Sequence, residues 1–116
     1  MKKSEIDFTI ELDDNNVPEN IIWKASDTGD KTEHTNAISV SLWDDNQKNT
    51  MRIDLWTKEM PVDEMKRFAV DCIGGLAQTV MNSTADEFMA TEINALCDKL
   101  VEHLKKEQEQ HPNNPK

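Results

Sequence analysis

Apolar and polar residues alternate over four stretches of the first sixty residues, and the period then changes. Ile6, Phe8, Ile10 and Leu12 are each separated by a polar neighbour, so Ser4–Leu12 predicts a half-buried strand. Asp13-Asp14-Asn15-Asn16 is turn chemistry, because short polar side chains bond back to their own backbone and tolerate left-handed geometry. Val17 and Pro18 lead into a second strand over Asn20–Ala25, completing a hairpin; Ile21, Ile22 and Trp23 blur its period, so Trp23 can face either side. Ser26–Thr35 holds one glycine and many small polar residues without periodicity, and predicts an exposed loop. Ile38, Val40 and Leu42 alternate with Ser39, Ser41 and Trp43 in a third strand, Asn36–Trp43. Asp44–Asn49 is a polar turn. Met51, Ile53 and Leu55 then alternate with Arg52, Asp54 and Trp56 in a fourth strand, Thr50–Thr57.

Pro61 stops this strand, since it cannot donate to a ladder, and it suits the start of a helix. Asp63 and Glu64 follow where carboxylates meet the positive end of the helix dipole. From here the apolar spacing is helical. Val62, Met65, Phe68, Ala69, Cys72, Ile73, Leu76 and Val80 form one stripe of a helix over Pro61–Asn82. Gly74-Gly75 interrupts it, and a close approach or a kink would account for the pair. Ser83 or Thr84 is the expected cap of a second helix, with Glu87 completing a capping box after Thr84. That helix runs to about Glu107. The tail, residues 108–116, is expected to be disordered.

The fold class that follows is α+β. A four-stranded antiparallel meander carries a C-terminal helical hairpin on one face, in the order ββββαα, as a two-layer sandwich. Residues 1–107 make a single domain. The expected strand contribution to the core is Ile6, Phe8, Ile10, Ile38, Val40, Leu42, Met51, Ile53 and Leu55.

Composition narrows the function classes. The 116 residues carry a net charge of −10, and mean hydropathy is −0.74. The acid is spread along the chain: residues 1–60 hold 7 basic and 13 acidic groups, and residues 61–116 hold 6 and 10. No basic face is set aside for phosphates, so nucleic acid is not expected as a partner, nor is anionic lipid. The two N-terminal lysines are followed by Glu5, Asp7 and Glu11 and not by an apolar run, so no membrane insertion and a cytoplasmic location are expected. Cys72 and Cys97 sit on the helical stripes, at similar heights in a hairpin; reduced buried thiols suit that compartment, and a disulfide is geometrically allowed.

No stretch carries a catalytic signature. Glycine-rich phosphate loop, nucleophile elbow and Cys/His cluster are all missing, so an enzyme is not expected, and neither is a cofactor. The Asp13–Asn16 and Asp44–Asn46 runs lack the spacing of a calcium loop and read as turns. His103, Glu107 and His111 recur at four-residue spacing but read as a solvated face; no metal is expected. The open face of the sheet is more informative. Alternation places Trp43, Arg52, Asp54 and Trp56 on it. Tryptophan and arginine are favoured interface anchors, so these four are the candidate partner-binding residues. A cross-strand Trp43–Trp56 pair that only stabilises the sheet explains the same pattern.

The stretch RIDLWTKEMPVDEMKRF, from Arg52 to Phe68, resembles the core of the gliding-motility GldC family, and the opening MKKSEIDFTIELDDNNVPENIIW resembles that family's N-terminus. The similarity extends over Met1–Leu104 and is weaker across Ser26–Thr35. The resemblance implies a process, bacterial gliding, and supplies no catalytic residues. It implies an accessory protein of the gliding apparatus; the binding expected of it is through the open sheet face, either to a protein of the gliding machinery or to a second copy of itself as a homodimer. A secretion-chaperone-like, client-binding protein is the second reading, since small size and acidic pI also describe that class. A small-ligand-binding domain is the third; it needs polar groups converging on a cavity.

Overall fold

A computed structural model of the chain describes residues 1–110. The described residues are α+β, with five strands in two antiparallel sheets and two α-helices. It divides into two units at the boundary between Met60 and Pro61.

In the first unit, β1 (Ile6–Leu12), β2 (Pro18–Ala25) and β3 (Glu33–Thr35) form one sheet in that order. β4 (Ala37–Asp44) and β5 (Asn49–Trp56) form a separate two-stranded ribbon. The single four-stranded meander expected from alternation is therefore corrected to three strands plus two. The cause lies at Asn36. The chain is extended on both sides of this residue, but the Thr35 hydroxyl donates to the Ala37 carbonyl (3.1 Å) and bends the backbone there. Thr57, just past β5, holds the bend: its N–H donates to the Asn36 carbonyl (2.9 Å) and its hydroxyl to Asn36 Oδ1 (3.0 Å).

The expected loop over Ser26–Thr35 also changes. Ser26–Thr28 is a 3-10 turn closed by Gly29 at φ 75°, where glycine costs least, and Glu33–Thr35 is β3. This edge strand is polar throughout, so it carries no alternation to read.

The turns follow their residue chemistry. Asp13 Oδ1 accepts the N–H groups of Asn15 (2.8 Å) and Val17 (3.0 Å), and Asn16 takes a left-handed φ of 64°. Asp44 Oδ1 accepts from Asn46 (2.9 Å) and Gln47 (3.2 Å), with Lys48 left-handed at φ 55°. This second turn sets the ribbon register, pairing Asp44 with Asn49 and Ser41 with Arg52.

Burial departs from expectation. Ile21, Ala25 and Ala37 are buried, while Ile6, Phe8, Leu42, Met51 and Ile53 are exposed and Ile10, Ile38, Val40 and Leu55 are half-buried. Division at Asn36 spreads the apolar positions over two small sheets, and a two-stranded ribbon has too little area to enclose its own apolar side chains. Trp23 is settled by pairing: it lies opposite Phe8, on the face that also carries Ile6, Ile10, Ile21 and Ala25.

In the second unit, α1 (Val62–Thr84) and α2 (Glu87–Gln110) form a hairpin. Lys66 near the start of α1 meets Glu107 near the end of α2 at 2.9 Å, so the helices are antiparallel. Pro61 stands one position earlier than expected, as the N-cap with extended backbone. Ser83 and Thr84 do not cap α2. They end α1, their hydroxyls donating back to the carbonyls of Thr79 (2.7 Å) and Val80 (2.8 Å). Ala85 turns the chain with a left-handed φ of 58°, and Asp86 caps α2 by accepting the Met89 N–H at 3.0 Å.

Ala77 and Ala90 are buried in the hairpin, where small side chains let two helices approach. Leu76, Phe88, Met89 and Leu96 are exposed. Gly74 and Gly75 leave α1 unbroken. A methyl on Gly74 would stand 3.8 Å from Cys97 Sγ, an ordinary contact, and one on Gly75 would meet nothing within 4 Å, so close approach does not require them. Cys72 and Cys97 are free, half-buried thiols. The expected tail begins inside α2, which continues through Gln110; its remainder lies outside the described residues. Among the described residues, no helix is long and apolar enough to cross a membrane.

Candidate functional site

The β4–β5 register places the four candidate residues on one face. The rungs on this face are Ala37–Trp56, Ser39–Asp54, Ser41–Arg52 and Trp43–Thr50. Trp43 and Trp56 therefore stand at opposite ends. Six residues along β5 separate Trp56 from the rung of Trp43, or ~20 Å of strand. The register excludes a Trp43–Trp56 cross-strand pair. Both indoles are open to solvent, Trp43 at 63% and Trp56 at 53% of full exposure.

Between them lies an ordered polar centre. Arg52 Nη1 donates to Ser41 Oγ at 2.8 Å, and Nη2 donates to Ser39 Oγ at 2.9 Å and to Asp54 Oδ1 at 2.9 Å. Nε donates to Asp54 Oδ2 at 3.2 Å, and Ser39 Oγ donates to Asp54 Oδ1 at 2.7 Å. Four of the five guanidinium N–H donors are thus engaged, and the planar group lies across both strands. The Ser39 hydroxyl, and after it Arg52, hold the Asp54 carboxyl below its ordinary range. Ser39 and Ser41 were not among the site residues expected from sequence. They share a face with Trp43 by alternation, but only the turn-set register brings them to Arg52.

The opposite ribbon face pairs Ile38 with Leu55, Val40 with Ile53 and Leu42 with Met51. It is half-buried at the first rung and opens toward the turn, where Leu42 and Met51 are each more than half exposed.

The other groups considered for chemistry are engaged in structure. Asp13 Oδ2 meets Lys58 Nζ at 2.9 Å. His34 is in β3, with Nδ1 3.3 Å from Asn20 Oδ1. His103 Nε2 is 3.5 Å from Glu107 Oε2, the carboxylate that also accepts from Lys66; His111 lies outside the described residues.

The architecture is that of an α+β protein built on two antiparallel sheets, with an aromatic-flanked polar face on the smaller. Residues 18–106 match the family model described as gliding motility-associated protein GldC-like, which spans this ribbon and nearly all of both helices. The chain belongs to the GldC-like family of gliding motility-associated proteins. Neither a curated protein nor a solved structure matches it.

Proposed function

We propose that this protein is a non-enzymatic, cytoplasmic accessory component of bacterial gliding that works by binding a protein of the gliding machinery through the Trp43–Trp56 face of the β4–β5 ribbon. The observation that carries the reading is the pair of exposed indoles bracketing an arginine already held in place. Each tryptophan offers a large, rigid apolar surface with a polar edge, the combination enriched at interface centres. Arg52 is ordered by Ser39, Ser41 and Asp54 before any partner arrives, so little side-chain entropy remains to be lost on binding. Asp54 balances its charge, so the face selects by shape and by the remaining Nη1 N–H more than by net potential. The fitting partner has two apolar recesses about 20 Å apart, the length of six strand residues, with an acceptor between them.

A client-binding, secretion-chaperone-like reading draws support from the other ribbon face, where Leu42, Met51 and Ile53 present apolar surface to solvent. The two readings differ in the face used. Crosslinked capture with substitutions on one face at a time separates them.

A further inference from the structure

The helical hairpin carries a groove that the ribbon reading does not use. It has a volume of about 300 Å³ and runs between α1 and α2. Val70, Val101 and Leu104 supply its apolar surface, and Arg67, Asp71 and Lys105 its charges. Arg67 and Asp71 stand four residues apart on α1, the spacing at which helical side chains are neighbours. Yet neither makes a hydrogen bond or ion pair with the other or with any other described residue. Lys105 is likewise unengaged, and Val101 is 40% exposed.

We infer that this groove is the contact between two copies of the chain, related by a two-fold axis that sets Arg67 of each copy against the partner's Asp71. The charge pattern selects this occupant. A two-fold interface must be self-complementary, because the same patch occurs on both sides. A positive and a negative group one turn apart on a single helix meet that condition: an antiparallel neighbour places opposite charges together at both rungs. A partner helix carrying only acid would satisfy Arg67 and Lys105 but set a like charge against Asp71. A purely apolar ligand would leave all three charges unanswered. Val101 and Leu104 of each copy then fill the groove of the other, and the two hairpins form a four-helix arrangement of the coiled-coil-like kind. The inference is independent of the ribbon reading, since no ribbon residue takes part.

The test is sedimentation velocity on the full chain at a series of concentrations. It compares wild type with Arg67→Asp, Asp71→Arg, the double exchange Arg67→Asp/Asp71→Arg, and Leu104→Glu. Helical circular dichroism and a melting curve check that each variant is folded. Wild type is expected to dimerise. Each single reversal occurs twice per dimer and turns attraction into repulsion, so it weakens association about fivefold to tenfold. The double exchange restores the pairs in reverse and brings association back to within about twofold of wild type. Leu104→Glu abolishes the dimer. If Leu104→Glu fails to fold, the double exchange decides alone. A wild type that stays monomeric, single reversals that dimerise as wild type does, or a double exchange no better than the singles each overturn the inference. So does a dimer lost on Trp43→Glu/Trp56→Glu but kept by Arg67→Asp.

Discussion

The Lys58 ammonium stands 2.9 Å from the Asp13 carboxylate, across 45 residues of sequence. It joins the residues that follow β5 to the β1–β2 turn, and the Lys58 N–H reinforces the link by donating to the Pro18 carbonyl at 3.2 Å. Lys58 first, and the Val17 N–H second, lower the Asp13 pKa from 3.8 to about 2. A depressed carboxyl stabilises the fold fully above its unfolded pKa and loses that contribution as pH falls through the folded value. Stability is therefore expected to decline from about pH 4 toward pH 2. Asp13→Asn should melt lower at neutral pH and show a shallower acid limb; the limb does not vanish, because Asp54 is also depressed. Melting curves from pH 2 to 7 on both proteins check this, and an acid limb of wild-type steepness in the variant would contradict it.

Thr57 is 1% exposed, the most buried polar residue described, and its hydroxyl reaches only as far as Asn36. Thr57→Val keeps the shape and removes that donor. Chemical denaturation is expected to show a loss of about 1 kcal/mol, the usual net worth of one such hydrogen bond.

Ala85 holds a left-handed backbone with φ 58°, a conformation that a Cβ makes costly. Ala85→Gly should stabilise the hairpin by about 0.5–1 kcal/mol, since glycine enters this region freely. A lower melting temperature in the variant would show that the turn is not under this strain.

Gly74 and Gly75 lie inside α1 with room for a methyl group. Gly74→Ala and Gly75→Ala should each raise stability by about 1 kcal/mol through helix propensity. Loss of stability in either would reveal a close contact at that site.

Much of the fold was legible in the sequence, and particular residues show where legibility stopped. Strict alternation located β1, β4 and β5 to within two residues at each end, because a period of two survives in any half-buried strand. β3 was hidden because Glu33, His34 and Thr35 are all polar, so it carries no period. The break at Asn36 was hidden because it depends on Thr57, twenty-one residues away. Alternation correctly put Trp43, Arg52, Asp54 and Trp56 on one face, but it could not give their order along that face. The four-residue turn closed by Asp44 fixed the register and separated the two indoles. Sequence alone does not fix the cap of α2, because Ser83, Thr84 and Asp86 are all competent caps, and the left-handed backbone at Ala85 selects Asp86.

The Trp43–Trp56 face is the proposed working surface. The direct measurement is crosslinked capture from gliding cells, comparing wild type with Trp43→Glu/Trp56→Glu, after circular dichroism and melting confirm that the variant is folded. A protein of the gliding machinery is expected to be captured with wild type and lost with the variant. Undiminished capture by the folded variant, or no machinery protein with either, would contradict it.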